Sequence, residues 1–225
     1  MLNMDTIENF NEIEDNIEDN IEEYATTIPN FFFIQIGACD GKIYDDFHQL
    51  LSKMNWKGIL IEPRKKYFKK LKETYSEKAF IFENIAISNK DGRQNIYNFK
   101  NQDIVASWQE GCATFNPENH NELSKVKKEN LEIETVNCKT WKTLINNHKV
   151  NDIHLLIIDT EGYDFEIIKQ ISFDTLAPHI IFYEFIHLGE NIHKSASHLI
   201  ENGYYIFRYK HNFLCYKKQF FNLKT

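Results

Sequence analysis

The sequence predicts an α/β domain built on a mostly parallel sheet, and three short apolar runs support this prediction. Strands that are buried on both faces of a parallel sheet read as continuous apolar runs. Ligands bind just beyond the carboxyl ends of such strands, so the residues that follow each run are the candidate site and the strands are its scaffold. The runs, each with the glycine or carboxylate that follows it, are 31–36 with Gly37, 58–61 with Glu62, and 153–158 with Asp159.

Strand-like and helix-like patterns alternate along the rest of the chain. Repeated strand–helix units indicate a parallel sheet with helices on both faces. Two final apolar runs flank Lys210-His211-Asn212 and predict a C-terminal antiparallel hairpin. The predicted helices are 44–54, 65–75, 140–147, 163–170 and 191–201, and the further strands are 79–87, 131–136 as an edge strand, 178–184, 204–209 and 213–216.

Length and composition fit one folded domain of this class. The chain has 225 residues, of which 42% are hydrophobic and 18 are phenylalanine, enough for a sizeable core. No apolar run approaches the roughly 18 residues that cross a bilayer, and the acidic N-terminus lacks the features of a signal peptide, so we expect a cytoplasmic protein. The four cysteines form no C-x-x-C pair, which argues against a zinc site or a disulfide framework.

Charge is concentrated at the N-terminus. Residues 1–28 contain nine acids and no lysine or arginine, so the net charge of −7 becomes +2 for the rest of the chain. A nearly neutral body does not repel an anionic substrate, and without a strongly basic face we expect no nucleic-acid partner.

The acidic segment also has a helical pattern. Phe10, Ile13, Ile17, Ile21 and Tyr24 recur at spacings of three and four, which places them on one face of a helix. We therefore predict an acidic amphipathic N-terminal helix within 1–28, ahead of a main domain at 29–225. A helix packed on the domain is the first interpretation, and a lid or a homodimer contact is the second.

The loop after the first strand has the composition of a ligand loop. Gly37 and Gly41 let the backbone approach a ligand closely, and the N-terminus of the following helix favours a carboxylate or a phosphate. Glu62 comes 25 residues after Gly37, at the tip of the second strand. An acid in that position accepts hydrogen bonds from the ribose hydroxyls of a nucleoside cofactor.

The same loop departs from the G-x-G-x-x-G pattern of dinucleotide sites. The place of the middle glycine is taken by Cys39, which Asp40 follows. A carboxylate there repels a pyrophosphate and suits an ammonium group, such as the amino-acid end of S-adenosylmethionine. The loop thus favours a methyltransferase, with an NAD-dependent oxidoreductase as the alternative.

On these residues the chain resembles the FkbM family of S-adenosylmethionine-dependent methyltransferases. The resemblance covers roughly residues 30 to 185 and implies a class I methyltransferase fold, which is Rossmann-like, with a seven-stranded sheet and a reversed last strand. It also implies O-methylation, often of sugars in glycans or natural products. The family's usual asparagine in the first loop is Cys39 here. The matching segments are 36–41 with Asp45, 56–63, 82–88 with Asp91-Gly92, and 158–164.

The resemblance also implies roles for single residues of the cofactor site. Four residues correspond to those that bind the methionine end of the cofactor, Glu62 to the one that binds its ribose, and three further residues to those that bind its adenine. Gln35 lies where many methyltransferases carry an acid, so it is either a cofactor contact or a strand residue that contacts its neighbours. The methionine-end residues are Gly37, Asp40, Gly41 and Asp45, and the adenine residues are Asn84, Ile85 and Ala86.

Candidate catalytic residues follow the later strands. Methyl transfer to a hydroxyl needs alignment of the acceptor and a base. Asp159 and Glu161 end the strand at 153–158, and His187 follows the next strand, so the base is either Asp159 or His187. Alternatively, these three side chains and Glu184 could bind Mg²⁺ or Ca²⁺, which would lower the pKa of the acceptor hydroxyl. We favour the metal-free mechanism.

The acceptor is less defined than the cofactor. The long polar stretch 101–130 has the length of a functional lid, in which Trp108 would stack on a sugar or cover the cofactor. The alternative interpretation of this stretch is a surface excursion. A small-molecule or carbohydrate acceptor is expected, first a sugar hydroxyl of a surface glycan or a nucleotide-linked sugar, and otherwise another small polar acceptor methylated on oxygen or nitrogen. A binding module without activity is disfavoured by Glu62 and by the segment 159–162.

Overall fold

The computed structural model describes residues 10–11, 17–100, 109 and 111–221. Within these ranges the main sheet has seven strands in the order β10-β11-β9-β8-β1-β2-β3. Neighbouring strands from β9 to β3 in this order are parallel, and β11 runs antiparallel to both of its neighbours. The fold class and the C-terminal hairpin predicted from the sequence are confirmed. The strands are β1 (Phe32–Ile36), β2 (Lys57–Ile61), β3 (Ile81–Glu83), β8 (Leu155–Ile158), β9 (Ile180–Glu184), β10 (Tyr205–Tyr209) and β11 (Asn212–Tyr216).

Helices cover both faces of this sheet because its central strands are apolar on both faces. Alternate residues of β1 divide between two buried clusters, with Ile34 on one face and Phe33 on the other. The first face packs against α4, α5 and α6, and the second against α1, α2 and α3. The described helices are α1 (Ile17–Thr26), α2 (His48–Lys53), α3 (Lys65–Thr74), α4 (Trp141–His148), α5 (Asp164–Ile168) and α6 (Asn191–Glu201).

A second, smaller sheet was not predicted. It has the order β4-β7-β5-β6, with strands β4 (Ala86–Ile87), β5 (Gly92–Asn98), β6 (Ala113–Thr114) and β7 (Glu132–Lys139). The single strand predicted over 79–87 is therefore wrong: it divides into β3 of the main sheet and β4 of the small one. The break falls at Asn84, whose side-chain N–H groups bond to the carbonyl oxygens of Glu62 and Pro63 at 2.9 Å each. The strand predicted over 131–136 exists, but it lies inside the small sheet and not at its edge.

The bounds of several helices differ from the prediction, and the largest differences are in α2 and in the N-terminal helix. α2 begins at His48 and not at residue 44, because Tyr44 has a left-handed backbone with φ of 53° and Asp45 accepts the backbone N–H of Phe47 at 2.9 Å. α1 buries Ile17 and Ile21 against the domain. Phe10 lies outside a helix and packs edge-on against Phe213, and Ile13 falls outside the described residues.

No helix in the described ranges is both long enough and apolar enough to span a membrane.

Candidate active site

A cavity of about 780 Å³ lies at the carboxyl ends of β1, β2, β8 and β9. It extends from the tips of β1 and β2, past the tip of β8, to the tip of β9 and the turn of the C-terminal hairpin. Of the residues predicted for the site, eight are among the described residues that line it. They are Gln35, Gly37, Asp45, Glu62, Ile85, Ala86, Asp159 and Glu161, and the predicted His187 after β9 makes a ninth.

The tip of β1 is shaped by Gly37. Its backbone has φ of +84°, and a Cβ on this residue would lie 1.6 Å from the carbonyl oxygen of Asp159. Only glycine permits this conformation together with this approach. The β1 and β8 tips therefore touch through their backbones, which brings the glycine loop and Asp159 to the same end of the cavity.

Glu62 joins the tips of β1 and β2. Its two oxygens accept backbone N–H groups, from Cys39 at 3.0 Å and from Arg64 at 2.7 Å. Burial raises the pKa of Glu62 to about 7, although the hydrogen bond and the charge of Arg64 oppose the shift. The carboxylate is thus fixed at the cavity wall and ready to accept further donors.

Gln35 and Asp45 form a pair beside the glycine loop. The side-chain N–H of Gln35 donates to Oδ2 of Asp45 at 3.2 Å. Its Oε1 is buried and has no hydrogen-bond partner among the described residues, which is unusual for a buried polar atom. Burial raises the pKa of Asp45, against its hydrogen bonds with Phe47 and Gln35. The orphaned oxygen is an acceptor that a ligand in the cavity would satisfy.

Three residues predicted to contact the cofactor are not among the described residues that line the cavity. Asp40 accepts the backbone N–H groups of Lys42 and Ile43 at 3.1 and 2.9 Å, so its carboxylate organises the loop. Gly41 packs against Tyr75, whose hydroxyl donates to its carbonyl oxygen at 2.9 Å. Asn84 holds the turn after β2, as described above. Their assignment as direct cofactor contacts stays a prediction.

The small sheet supplies an apolar wall opposite the tip of β2. Ile96 on β5 and Ala113 on β6 line the cavity together with Phe115. They adjoin Ile85 and Ala86, the residues predicted to hold adenine. The sequence analysis considered a lid over 101–130, but it did not predict that β5 and β6 form part of the cavity wall, since these strands are polar or short.

Asp159 and Glu184 are two carboxylates of the cavity whose pKa values are raised. The side chain of Asp159 is exposed to the cavity. The surrounding protein keeps bulk water away from its carboxyl group, and this loss of solvation, together with the charges of Glu161 and Asp164, raises its pKa well above the usual range. Burial and the charge of Asp159 do the same for Glu184. Oε2 of Glu184 is buried without a hydrogen-bond partner among the described residues. These carboxyl groups hold protons more tightly than isolated acids do.

Glu161 lies in the opposite environment. Its Oε2 is 2.8 Å from Nε2 of His120 and 3.2 Å from Nε2 of His187. Burial opposes the effect, but the hydrogen bond from His120 and the electrostatic interaction with both histidines lower the pKa of Glu161. Its backbone has a left-handed φ of 55°, and a Cβ on the following Gly162 would lie 2.9 Å from the carbonyl oxygen of His187.

His120 was missed in the sequence. It lies in the loop between β6 and β7, 41 residues from Glu161, and its ring stacks on that of His187 with centroids 3.9 Å apart. No local spacing of residues signals a contact of this range. The thiol of Cys112, just ahead of β6, lies within 4.8 Å of the same carboxylate. Trp108, which was predicted to cover the site, lies outside the described residues.

The ring nitrogens of His120 and His187 bear on metal binding. A histidine that binds a metal through one nitrogen normally donates the N–H of the other to an acceptor. Here Nδ1 of His120 accepts the backbone N–H groups of Glu122 and Leu123 at 3.1 Å each, and Nδ1 of His187 accepts that of Asn121 at 3.4 Å. The neutral rings therefore carry their proton on Nε2. Groups with ligand atoms within 4.8 Å of one another are Cys112–His120–Glu161, Glu161–Glu184–His187 and Asp152–His154–His179.

His187 is poorly disposed as a base for the same reason. One of its nitrogens accepts a backbone N–H, and the other faces Glu161. Burial lowers its pKa to about 4, against the charge of Glu161. Of the two predicted bases, Asp159 is the one whose environment increases its affinity for a proton.

The fold and the arrangement of the strand tips are those of a class I methyltransferase. The family model described as the methyltransferase FkbM domain matches residues 35–206. The chain therefore belongs to the FkbM methyltransferase family, which confirms the resemblance seen in the sequence.

Comparisons outside the family are distant. A fibrillarin/Nop5p complex shares 14% identity at a TM-score of 0.43, covering 84% of this chain and 72% of that chain. A ribosomal protein L11 methylase from Lactobacillus delbrueckii subsp. bulgaricus shares 11% at 0.39, covering 89% and 76%. A precorrin-6y C5,15-methyltransferase from Geobacter metallireducens GS-15 shares 9% at 0.40, covering 92% of each chain. Likenesses of this degree carry no argument about substrate, and no curated protein matches the chain significantly.

Proposed function

We propose that the protein transfers a methyl group from S-adenosylmethionine to a sugar hydroxyl. The observation that carries the proposal is the continuity of the cavity. It joins the glycine loop and Glu62, which suit a nucleoside cofactor, to the carboxylates of Asp159 and Glu184, which suit a hydroxylated acceptor. A cavity of about 780 Å³ is also within the usual size range of small-molecule sites.

The residues at the β1 and β2 tips fit the cofactor. Gly37 leaves room for a close approach, and Oε1 of Gln35 is an unsatisfied acceptor for a donor such as the ammonium group. Glu62 is placed to accept ribose hydroxyls, and Ile85 and Ala86 offer an apolar surface to adenine. When bound, S-adenosylmethionine supplies a methyl group that its sulfonium has already activated.

At the other end of the cavity, Asp159 acts as the base. It faces the cavity and would take the proton of the acceptor hydroxyl when that oxygen displaces the sulfonium sulfur of the cofactor from the methyl carbon. Its raised pKa improves the match between the base and neutral pH. The Nε2 protons of His120 and His187 support a mechanism without a metal, because they occupy the lone pairs that a metal would need.

The acceptor class follows from the hydrogen-bonding character of this end. A carboxyl group accepts hydrogen bonds and, when protonated, also donates one, and the hydroxyls of a sugar likewise both donate and accept at short spacing. A surface glycan or a nucleotide-linked sugar is therefore the first candidate, and an amine acceptor is the second. An NAD-dependent oxidoreductase is disfavoured because Asp45 and Asp46 line the cavity beside the glycine loop, where a pyrophosphate would meet their negative charge.

Labelled methyl transfer tests the proposal. The protein is incubated with S-adenosylmethionine carrying a tritiated methyl group and with a panel of free sugars, nucleotide sugars and amines, and the products are separated and counted. We expect label on a sugar hydroxyl, and about 10²- to 10⁴-fold slower labelling with Asp159→Asn. Transfer only to amines would contradict the sugar assignment. If no compound of the panel becomes labelled and the protein binds NAD, the proposed function as a whole is contradicted.

A further inference from the structure

The loop between β6 and β7, residues 115–131, reaches the tips of the main-sheet strands. In this loop Asn121 donates its side-chain N–H to the carbonyl oxygen of Ile186 at 3.0 Å and its backbone N–H to Nδ1 of His187 at 3.4 Å. The preceding residue, His120, has only 1% of its surface exposed and stacks on His187. Two consecutive residues thus hold the loop against the ends of β8 and β9.

From that position His120 acts on Glu161. Its Nδ1 accepts two backbone N–H groups, so the proton of the neutral ring is on Nε2. Nε2 donates to Oε2 of Glu161 at 2.8 Å, and Nε2 of His187 lies 3.2 Å from the same oxygen. A carboxylate that accepts two donors is held in one orientation, and its ionised form is favoured.

We propose that His120 is a positioning residue for methyl transfer, one that keeps Glu161 charged and fixed at the cavity wall near Asp159. The inference rests on the proposed function, in which Asp159 receives the proton of the acceptor. A fixed negative charge at Glu161 increases the proton affinity of Asp159 and so makes it a stronger base. His120 is not among the described residues that line the cavity, so it acts through Glu161.

Other titratable groups face these two carboxylates and contribute to the same field. Around Glu161 they are His187 and Cys112. Around Asp159 they are Asp164, Asp45 and Asp46. Glu184 interacts electrostatically with both carboxylates. A substitution at position 120 keeps all of these groups in the chain, so the change in the Glu161 midpoint is compared between variants that differ at this residue alone.

Nuclear magnetic resonance of the wild-type chain tests the proposal without an acceptor. Side-chain ¹⁵N shifts report which nitrogen of His120 carries the proton, and ¹³C carboxyl shifts followed against pH give the midpoints of Glu161 and Asp159. We expect a proton on Nε2 of His120 and a Glu161 midpoint below 4.5, the ordinary value for glutamate. A proton on Nδ1, or a Glu161 midpoint at or above that value, overturns the proposal.

Two variants extend the test. His120→Phe keeps the stacked ring and removes both the Nε2 donor and the Nδ1 acceptor of the backbone N–H groups of Glu122 and Leu123. His120→Gln keeps an N–H donor and an acceptor oxygen. We expect the Glu161 midpoint to rise by about one unit in H120F, the Asp159 midpoint to fall, and H120Q to lie between H120F and the wild type. Unchanged midpoints in H120F overturn the proposal, and if this variant does not fold, the wild-type measurement decides.

The chain offers a matched control for these variants. His148 on α4 lies with its Nε2 2.7 Å from Oε1 of Glu83, a histidine–glutamate pair outside the cavity. His148→Phe should leave the midpoints of Glu161 and Asp159 unchanged, and a shift as large as that in H120F would overturn the proposal.

Calorimetry with S-adenosylhomocysteine separates this inference from the proposed function. Binding of that ligand with an ordinary Glu161 midpoint overturns the role of His120 and leaves the proposed function standing. A low Glu161 midpoint in a chain that does not bind the ligand overturns the proposed function, and with it the part of His120 in methyl transfer.

Discussion

The carbonyl oxygen of Asp159 occupies the space that a side chain at Gly37 would need. A Cβ there would lie 1.6 Å from that oxygen, much closer than any non-bonded contact. This relationship joins the proposed cofactor end of the cavity to its proposed acceptor end, because the loop after β1 and the tip of β8 are in contact through their backbones. The two motifs that stand 122 residues apart in the sequence thus form a single structural unit.

Gly37→Ala should destabilise the protein by more than its backbone conformation alone explains. Gly203 is the matched control, since it has nearly the same φ, +83° against +84°, but no atom within 4 Å of its Cβ position. A left-handed alanine costs about 1–2 kcal/mol, which is the loss expected for G203A. G37A adds an overpacking cost of about 1–3 kcal/mol. Equal losses of unfolding free energy in urea would contradict the steric account.

Glu184→Gln should stabilise the protein at neutral pH and have little effect in acid. The folded-state pKa of Glu184 is raised above its ordinary value of 4.5, so the folded state binds more protons than the unfolded chain above that pH. The wild type therefore loses stability as the pH rises from about 4.5 through the folded-state pKa, and the glutamine variant lacks this loss.

Urea denaturation between pH 4 and pH 8 measures the difference between E184Q and the wild type. We expect the difference to grow with pH. The solvent-exposed Glu77 provides the control, as E77Q should follow the wild type throughout. A difference that is constant with pH would show that Glu184 is not the titrating group.

Asp159→Asn should reduce turnover by about 10² to 10⁴ and leave cofactor affinity nearly unchanged. The amide keeps the size of the side chain and removes its ability to take a proton. Activity of the wild type should persist in EDTA, as expected of base catalysis. Abolition of activity by EDTA and its rescue by Mg²⁺ would contradict this mechanism, and in that case Asp159→Ala and Glu184→Ala should behave alike.

The central strands were predictable because they are buried on both faces. β1, β2, β8 and β9 are runs in which nearly every residue is apolar, a pattern that few other structures produce. β5 was not predictable, since four of its first five residues are polar or glycine and only Ile96 and Asn98 are buried. The small sheet that it centres therefore remained hidden in the sequence.

The residues of the candidate site also divide into those that could be predicted from the sequence and those that could not. Gly37, Glu62 and Asp159 were found because each directly follows a recognisable strand, so topology alone brings them together. His120 could not be found, because its contact with Glu161 depends on the path of a loop that the sequence does not pattern. Asp40 was identified as a cofactor contact from its charge, but its oxygen is satisfied by the loop backbone, a detail that only coordinates reveal.

Isothermal titration calorimetry of S-adenosylhomocysteine against the wild type and Glu62→Ala tests the central claim most directly. The variant removes a charged acceptor that contributes on the order of 1.5–3 kcal/mol per hydrogen bond, so we expect the wild type to bind and the variant to bind roughly 10- to 100-fold more weakly. Glu83→Ala, at the end of β3 outside the cavity, should bind like the wild type. Binding of NAD without binding of S-adenosylhomocysteine, or an unchanged dissociation constant in E62A, would contradict the account.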